Sequence, residues 1–477
     1  MKKFAIAFRG IFDLTDDSNT ALIPALWARE SLVQLEKEMI TPMLVYREFE
    51  DEVAEFGDTV NAWRPQEMVA QNRRDKQAVK TSDSKTVKVP VKLDQWIHQS
   101  FLLGDAESGM AFTDLIDVHV IPAARSIADK LDQITTVQLY QFMANSVGRL
   151  GQAQSKSTMI QARKVLNDHG VSRRDRTYLI GTQAEADLLN ISEFLTADKI
   201  GDDGTALREG SLGSKLGFNI FMNQNVPSVS GIPAADKISA VVNNGAGYVA
   251  GTTTLTVDSV STATLSVGSW LVIDGDDTPQ RITASTVAAN AGDITIAPGL
   301  QNMVVDDAVI AVYKAAQVNQ PSSSLEDTGN APGYPIGYSE EIVIDGLSAK
   351  PGLGRLASTG NGATADQTFG LVGNNTATIV DLDTPLVGAL ADDANIFLGP
   401  EGEFSFAFHR NALALITRPL PPPVAPNVAS FSANFNNVAM RATIAYDSTY
   451  MATRVNLDVL CGVKVLDEKM GCVVYSN

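Results

Sequence analysis

The sequence predicts an α+β protein with an all-β domain inserted into it. Three observations indicate this fold class. Apolar residues recur at helical spacing between Phe112 and Met143, which predicts one long helix. Residues 228–403 have short alternating apolar runs separated by turn residues, which is typical of a small barrel or sandwich. The mixed helix and strand pattern before this segment resumes at residue 404, so the β segment interrupts another domain.

Composition describes an ordered globular chain. Its 477 residues allow two or three domains, each with its own core. Hydrophobic residues make up 44% and charged residues 19%. No apolar stretch is long enough to span a bilayer, so we expect that the chain is not an integral membrane protein. The start MKKFAIAFRGIF is similar to a signal peptide, but Arg9 interrupts its apolar patch and no small-residue cleavage site follows, so we expect no export.

The negative charge is concentrated in the β segment. The chain carries a formal net charge of −18, and residues 228–403 hold 20 acidic and 5 basic residues, a net of −15. The remaining residues are therefore close to neutral, with 35 acidic and 32 basic residues. Because an acidic surface binds polyanionic DNA poorly, the β segment is not expected to contact nucleic acid.

The first 45 or so residues predict a helical arm. Ala28, Leu32, Leu35 and Met39 lie on one helical face. A single amphipathic helix cannot bury its own apolar stripe, so this arm must pack on another surface.

A long hairpin is predicted next, between about residues 57 and 100. Alternating runs at Thr59 to Trp63 and Thr86 to Ile97 flank a polar tip. No aromatic residue lies between Arg73 and Lys88, which argues against a stacking platform for nucleic acid. A solvated hairpin is the simplest interpretation, and the family resemblance given below implies instead that its positive charge meets an acidic surface on an adjacent subunit. Its basic residues are Arg73, Arg74, Lys76, Lys80, Lys85, Lys88 and Lys92.

Helices and strands alternate after the long helix, in which Pro122 marks either a kink or the true start. Met159 to Gly170 predicts a helix, Tyr178 to Ile180 a buried strand, and Thr182 with Glu185 a capping box for a second helix. A loop with Gly210, Gly213 and Gly217 leads to a strand from Phe218 to Met222. The glycines are not spaced as in a phosphate-binding loop, so we expect a tight loop that passes close to neighbouring backbone.

The β segment contains a weak internal repeat. Residues 306–310 and 392–396 read Asp-Asp-Ala-x-Ile, which suggests two related β modules. The stretch from Gln320 to Pro335, rich in Ser, Pro and Gly, would join them. Asp274-Gly-Asp276-Asp277 lacks the ligand spacing of a calcium loop and predicts a turn between strands.

No catalytic, cofactor or metal site is predicted. The four histidines, His98, His119, His169 and His409, match no catalytic or metal-binding motif, and His409 is expected to be structural. Cys461 and Cys472 are expected to be unpaired thiols, with a disulfide between facing strands as the alternative.

The order of elements from Met159 to Pro227, resumed at Phe406, resembles the major capsid proteins of tailed bacteriophages, the Hong Kong ninety-seven fold. Gly210 to Phe218 match that family's pattern G-x-[LI]-G-x-x-x-G-[FV]. The resemblance covers about residues 20–227 and 404–477. Some coat proteins of this family carry a β-barrel insertion domain at the same place. The domains implied are an N-terminal arm (1–50), an extended-loop hairpin (51–105), a spine helix with the peripheral domain (106–180), the first part of an axial domain (181–227), the acidic insertion (228–403), the axial return (404–425) and the C-terminal peripheral strands (426–477).

The resemblance implies a structural protein that assembles into the icosahedral shell around phage double-stranded DNA. The implied partners are copies of the chain in hexamers and pentamers, a scaffolding protein and a portal during assembly, and packaged DNA bound non-specifically. No membrane is implied. The protein would lie in the virion, and in the host cytoplasm during assembly. An acidic β-rich surface-binding or decoration protein is the alternative, and an enzyme comes third. The interface residues expected are Leu32, Leu35, Met39, Arg73, Arg74, Lys76, Lys80, Gly213 and Gly217.

Overall fold

The computed structural model describes a β-rich molecule with few helices and two small closed barrels. Six of the expected interface residues, Leu32, Leu35, Arg73, Arg74, Lys76 and Lys80, lie outside the described residues. So do most of the predicted arm, the tip of the hairpin and most of the stretch from 320 to 335. The described residues are 31, 39–47, 56–64, 72, 87–104, 116–195, 212–262, 264–319, 333–334, 341–359, 367–373, 375–423, 428–435, 438–447, 449 and 452–477.

The base of the predicted hairpin is present. A short helix, α1 (Thr41–Leu44), precedes strands β1 (Thr59–Arg64) and β2 (Val87–Lys92), which pair antiparallel with Thr59 opposite Lys92. The predicted second run, Thr86 to Ile97, is two strands rather than one. The chain leaves β2 at Leu93 and Asp94 and starts a new strand, β3 (Gln95–Gly104).

The long helix predicted between Phe112 and Met143 is α2 (Ile121–Val137), and we refer to it as the spine helix. A π-helical turn (Ile116–Val120) precedes it and a 3-10 turn (Gln138–Ala144) follows it. Pro122 lies in its first turn, where a proline removes no helical hydrogen bond, so this residue marks the start of the α-helix.

The chain then forms the mixed segment that the sequence predicts. Ser155 and Thr158 form a capping box for α3, and this helix ends before Gly170 at a φ of 72°, as expected. The strand predicted from Phe218 to Met222 is confirmed. The elements are β4 (Ser146–Gly148), α3 (Lys156–Asp168), β5 (Arg176–Ile180), α4 (Thr182–Leu189), α5 (Ser192–Leu195), β6 (Ser214–Lys215), β7 (Phe218–Met222) and β8 (Ser228–Val229).

The capping box predicted at Thr182 and Glu185 is wrong. Gly181 is the N-cap of α4 and offers no side chain. The carboxylate of Glu403, far away in sequence, instead accepts the N–H groups of Gln183 and Ala184, each at 3.0 Å. A buried acid from a neighbouring strand therefore satisfies the first turn of the helix.

The glycine loop is a hairpin turn. Leu216 and Gly217 have φ values of 50° and 82° between the antiparallel strands β6 and β7, as in a type I′ turn. The predicted close approach to backbone is wrong: among the described residues nothing lies within 4 Å of a Cβ added at Gly213, and the atoms nearest to a Cβ added at Gly217 belong to the Arg163 guanidinium. The left-handed backbone, not crowding, requires these glycines.

The segment predicted to be β consists of two six-stranded closed barrels, so the two predicted modules are present. The first barrel contains β9 (Lys237–Val242), β10 (Thr254–Asp258), β11 (Trp270–Ile273), β12 (Gln280–Ser285), β13 (Gly292–Ala297) and β14 (Val309–Tyr313). The second contains β15 (Ala315–Val318), β17 (Ile342–Asp345), β18 (Leu356–Thr359), β19 (Gln367–Val372), β20 (Ile379–Leu382) and β22 (Asn395–Leu398), with a small pair formed by β16 (Gly333–Tyr334) and β21 (Leu390–Ala391).

The stretch from Gln320 to Pro335 does not join the barrels. The first barrel ends at Tyr313 and the second begins at Ala315, so Lys314 alone connects them. The stretch rich in Ser, Pro and Gly lies instead between the first two strands of the second barrel. A composition rich in Ser, Pro and Gly predicts a loop, but it does not distinguish a loop within a module from a linker between two modules.

After the barrels the chain returns to the part formed by the spine helix and the two open sheets, which we call the body. The strands are β23 (Gly402–His409), β24 (Leu413–Arg418), β25 (Val428–Phe435), β26 (Val438–Asp447), β27 (Ala452–Val465) and β28 (Gly471–Ser476). One sheet has the order β4-β28-β23-β5-β7-β6 with β8 beside β23, and the other has β24-β27-β26-β25 with β3 beside β27. Strand β27 runs without interruption through Cys461 and Gly462.

The cores of the two sheets contain both cysteines. Cys461 in β27 and Cys472 in β28 are buried free thiols, as expected. Burial raises the pKa of the Cys472 thiol to about 12 and raises that of Cys461 further. None of the helices among the described residues has the length and apolar character needed to cross a bilayer.

Candidate functional site

An open strand edge borders the spine helix. Within the described residues, β3 pairs with one strand only, β27, over its whole length from Gln95 to Gly104. Its other edge therefore presents a row of backbone donors and acceptors with no strand beside it in this part of the chain. A long open edge of this kind is a ready template for a further chain segment.

A groove of about 800 Å³ lies along this strand, between β3, the start of α2 and β27. Two aromatic side chains line it while remaining half exposed, Phe56 at 50% and Trp96 at 49%. Their ring centroids are 6.4 Å apart. Large apolar side chains left this open beside a concave surface are typical of protein contact sites.

Fixed charges form one wall of the groove. The Arg441 guanidinium donates from Nε to Asp458 Oδ1 at 3.0 Å and pairs through Nη2 with the other carboxylate oxygen. It also lies over the Trp96 ring at 5.9 Å from the centroid. Asn456 Oδ1, on the same strand as Asp458, is buried and has no hydrogen-bond partner among the described residues. The wall thus holds a rigid ion pair and an acceptor available for a donor.

The root of the hairpin is packed firmly on the body. Ala62, Val91 and Leu93 are buried against Ile416 and Leu460 of the second sheet. Lys88 and Lys92 point to solvent on the other face of β2. The hairpin therefore starts from a fixed direction with basic side chains on its outer face.

Three of the expected interface residues can be placed. Met39 is 4% exposed and lies in the core of its own chain, next to the spine helix. Gly213 precedes β6, and Gly217 forms the tight turn between β6 and β7 at the end of the first sheet. These residues are not brought together with the groove at Trp96.

The second barrel is joined to the spine helix by matched polar contacts. Gly373 N donates to Gln133 Oε1 at 3.1 Å, Gln138 Nε2 donates to Asp383 Oδ2 at 2.8 Å, and Lys130 pairs with Asp381. Lys130 and Gln133 are three positions apart and lie on one side of the helix, and Gln138 begins the 3-10 turn that follows it.

Asp383 is the acid with a strongly shifted pKa at this contact between the second barrel and the spine helix, which we call the joint. Complete burial raises its pKa from the ordinary 3.8 to about 7, although hydrogen bonds from Gly370 N, Thr384 and Gln138 partly oppose the shift. Tyr140, a neighbour of the joint, donates to the Gly354 carbonyl at 2.8 Å. The barrel is thus fixed to the body by buried polar groups as well as by apolar packing.

The first barrel contacts the body at a different place. Leu150 N donates to the Asp277 carbonyl at 2.8 Å, and Arg149 donates to Asn302 Oδ1 at 2.8 Å. Trp270 Nε1 donates to Ser358 Oγ at 3.2 Å and so connects the two barrels.

The predicted turn at Asp274 to Asp277 is confirmed. The buried Asp276 carboxylate accepts from Thr278 Oγ1 at 2.6 Å and from Gln301 N at 2.9 Å, so protein donors occupy it. Within the described ranges, no three His, Cys, Asp or Glu side chains gather closely enough to hold a metal ion.

His409 has a local structural contact. Its Nδ1 accepts the Asn411 N–H at 3.1 Å at the end of β23. Burial lowers its pKa, Asp175 opposes that shift and Arg176 adds to it. A neutral ring that accepts a backbone hydrogen bond agrees with the structural role expected for this residue.

Several functional contacts had no signal in the sequence. The groove joins Trp96 to Arg441 and Asp458, more than 300 positions away. The joint at Asp383 and the cap at Glu403 likewise depend on partners distant in sequence. An exposed tryptophan within an alternating strand pattern was the one available hint.

The chain is similar to phage capsid structures. A structure from Mycobacterium phage Che8 is 12% identical with a TM-score of 0.39, and the match covers 91% of this chain and 90% of that one. The capsid structure of the cyanophage P-SCSP1u is 9% identical with a TM-score of 0.39 and the same coverage. The mature capsid of bacteriophage PhiM1 is 9% identical with a TM-score of 0.36, covering 88% of this chain and 82% of that one.

No protein-family model matches the chain, and no curated protein sequence matches it. At TM-scores below 0.5, the likeness to the three phage structures decides neither fold nor function by itself.

Proposed function

We propose that this chain is a major capsid protein whose copies assemble into an icosahedral shell around phage double-stranded DNA. The observation that supports this most directly is the open edge of β3 with its groove. The groove combines half-exposed Trp96 and Phe56 with an unpaired strand edge among the described residues. A chain that acts alone gains nothing from leaving such a surface open, whereas repeated copies can cover it.

The neighbour's N-terminal arm is the segment proposed to fill this groove. Leu32 and Leu35 lie on the apolar stripe of the arm predicted from the sequence. An apolar helix face or extended segment from a neighbour would bury Trp96 and Phe56 while offering backbone groups to β3. The arm would thereby bury Leu32 and Leu35, whereas Met39 of the same stripe is already buried in the core of its own chain.

Shell formation then rests on association of many copies. Arg73, Arg74, Lys76 and Lys80 on the hairpin are proposed to meet acidic surface on a neighbour, and the turn at Gly217 to lie near a symmetry axis. Each contact is modest, and closed symmetry makes their sum large. Hexamers and pentamers would form with a scaffolding protein and a portal, and the two acidic barrels would face away from the DNA because their charge repels it.

Electron microscopy of the purified protein tests this proposal. With and without a co-expressed candidate scaffolding protein, we expect capsomer-sized rings or closed shells. Trp96→Ala should reduce particle yield strongly while circular dichroism stays unchanged, and Val387→Ala, which trims an exposed side chain of the second barrel, should not.

Monodisperse single chains under all these conditions would overturn the shell. Single chains that instead bind the outside of preformed phage particles would identify the alternative, an acidic β-rich decoration protein.

A further inference from the structure

The two barrels are internal repeats of one another. Both close with the same order of strands, so that β9 to β14 correspond in turn to β15, β17, β18, β19, β20 and β22. A tyrosine hydroxyl that accepts a backbone hydrogen bond marks the same place in each. Tyr248 Oη accepts Thr256 N at 2.9 Å, and Tyr334 Oη accepts Val343 N at 2.8 Å.

Backbone hydrogen bonds align the repeats residue by residue. Tyr248 pairs with Val304 as Tyr334 pairs with Leu390. Asp307 N donates to Val242 at 3.0 Å as Asp393 N donates to Val318 at 2.9 Å, and both aspartates have positive φ, 59° and 62°. Residues 303–310 therefore correspond to residues 389–396.

Buried positions of the two aligned segments match, and exposed positions differ. Val304 and Leu390 are buried in their barrels, as are Ile310 and Ile396. The outward positions are Met303, Val305 and Val309 in the first barrel and Ala389, Ala391 and Asn395 in the second. Because the second barrel closes with small or polar residues there, the large apolar side chains of the first barrel are not needed for closure.

Four apolar side chains of the first barrel are exposed here, and we call the surface around them the outer patch: Val249, Met303, Val305 and Val309, exposed by 68%, 66%, 60% and 52%. The pairing of Tyr248 with Val304 sets Val249 beside Met303 on the outward face. Asp274 N donates to the Val309 carbonyl at 2.9 Å, and Gly275 lies next to the Met303 carbonyl, so the turn at 274–275 links the two ends of the patch.

Carboxylates surround the outer patch. Asp274, Asp306 and Asp307 are exposed on its rim. Burial raises the pKa of the nearby Asp277 carboxyl, the charge of Asp274 raises it further, and the charge of Arg149 opposes the shift. Two outer patches would repel each other, so the occupant must combine apolar side chains with positive charge.

The tip of the hairpin has this composition. Residues 65–86 include Met68 and Val69 together with five basic and three acidic residues. Half of these 22 residues could span at most roughly 36 Å if fully extended. The hairpin root packs on Ile416 and Leu460 of the second sheet, whereas the first barrel contacts residues next to the first sheet.

We propose that the outer patch of the first barrel is the docking site for the hairpin tip of a second copy of this chain. This docking rests on the proposed function and names the acidic surface that the basic hairpin meets. It also assigns different roles to the repeats, because the second barrel carries Ala389, Ala391 and Asn395 at the positions of Met303, Val305 and Val309.

Site-specific disulfide formation in assembled particles tests this docking. The native Cys461 and Cys472 are buried, so they can stay in place. With Val69→Cys and Met303→Cys together, mild oxidation should give chains linked into dimers and larger multimers on non-reducing gels. The matched control pairs Val69→Cys with Ala389→Cys, the equivalent position of the second barrel, and should remain unlinked.

Wild-type particles that form while the two cysteine pairs link equally, or not at all, would overturn the docking and leave the shell intact. A disulfide within single chains would overturn it as well, by assigning the tip to its own barrel. A wild-type protein that forms no particles would overturn the proposed function first.

A second variant separates docking from folding. Met303→Ala, Val305→Ala and Val309→Asn together copy the second barrel, whose closure shows that these residues suit the fold. We expect unchanged circular dichroism and a loss of about tenfold or more in subunit association, measured as particle yield over a concentration series. Unchanged yield and unchanged crosslinking in this variant would contradict the proposal.

Discussion

Gly370→Ala should loosen the joint between the second barrel and the spine helix. A Cβ at this position in β19 would overlap Val137 Cγ1 at the end of α2, with Val137 Cβ and Cγ2 at 3.1 and 3.2 Å. The φ of Gly370 is not in the left-handed region, so alanine suits the backbone there. The substitution therefore tests the contact alone.

The expected cost follows from overpacking. Forcing one methyl group into a filled contact costs about 1–3 kcal/mol. The same movement would stretch the hydrogen bond from Gly370 N to Asp383 Oδ1, 3.2 Å long, which adds about 1 kcal/mol. Val137→Ala should itself cost about 1–2 kcal/mol through lost burial. Val137→Ala also removes the atoms that would clash with the new methyl group. The double variant should therefore lose less unfolding free energy than the two single variants lose in sum.

Urea unfolding and limited proteolysis measure these effects. Trp270 lies at the contact between the barrels, so its fluorescence should report loosening of this region. Gly245→Ala is the control, because its added Cβ meets nothing closer than an Asp306 oxygen at 4.0 Å. The reasoning fails if Gly370→Ala behaves like Gly245→Ala, or if the effects at Gly370 and Val137 are simply additive.

Two further substitutions test buried acids. Because burial raises the pKa of Asp383 to about 7, the folded chain keeps this proton up to neutral pH, and the stability due to this group is present at low pH and falls between about pH 4 and 7. Asp383→Asn should remove that fall, and above pH 7 its free energy of unfolding in urea should exceed that of the wild type by up to about 4 kcal/mol. A difference between the two proteins that does not depend on pH would contradict this. Glu403→Ala should leave the N–H groups of Gln183 and Ala184 without their acceptor and lower the unfolding free energy by about 3 kcal/mol. Glu403→Gln should lower it less, because one acceptor oxygen remains. Hydrogen exchange at the two amides checks both variants, and unchanged protection in Glu403→Ala would refute the cap.

Local patterns predicted much of the secondary structure. The hairpin base, the spine helix, the strand from Phe218 to Met222 and the end of α3 at Gly170 each depend on residues a few positions apart. The two β modules were also predictable, because Asp-Asp-Ala-x-Ile recurs where both barrels need the same left-handed turn. Local rules work where the interaction that fixes the structure is itself local.

The sequence did not predict features that depend on distant partners. Thr182 and Glu185 have the spacing of a capping box. The Glu403 carboxylate instead accepts the N–H groups of the first turn of α4 and fills the space beside Gly181. The groove needs Arg441 and Asp458 to meet Trp96 across paired strands. Since no pattern within a short window records such pairings, only the folded chain brings these groups together.

The two barrels share one small fold but differ in what their surfaces carry. Their buried positions and strand order agree, so closure constrains both in the same way. The second barrel contacts its own spine helix through Gly370, Gly373 and Asp383. The first barrel instead carries large apolar side chains outward at Met303 and Val305. A surface that costs solubility and adds nothing to closure is expected to persist only where another molecule covers it, and in a shell of identical chains that molecule is the next copy.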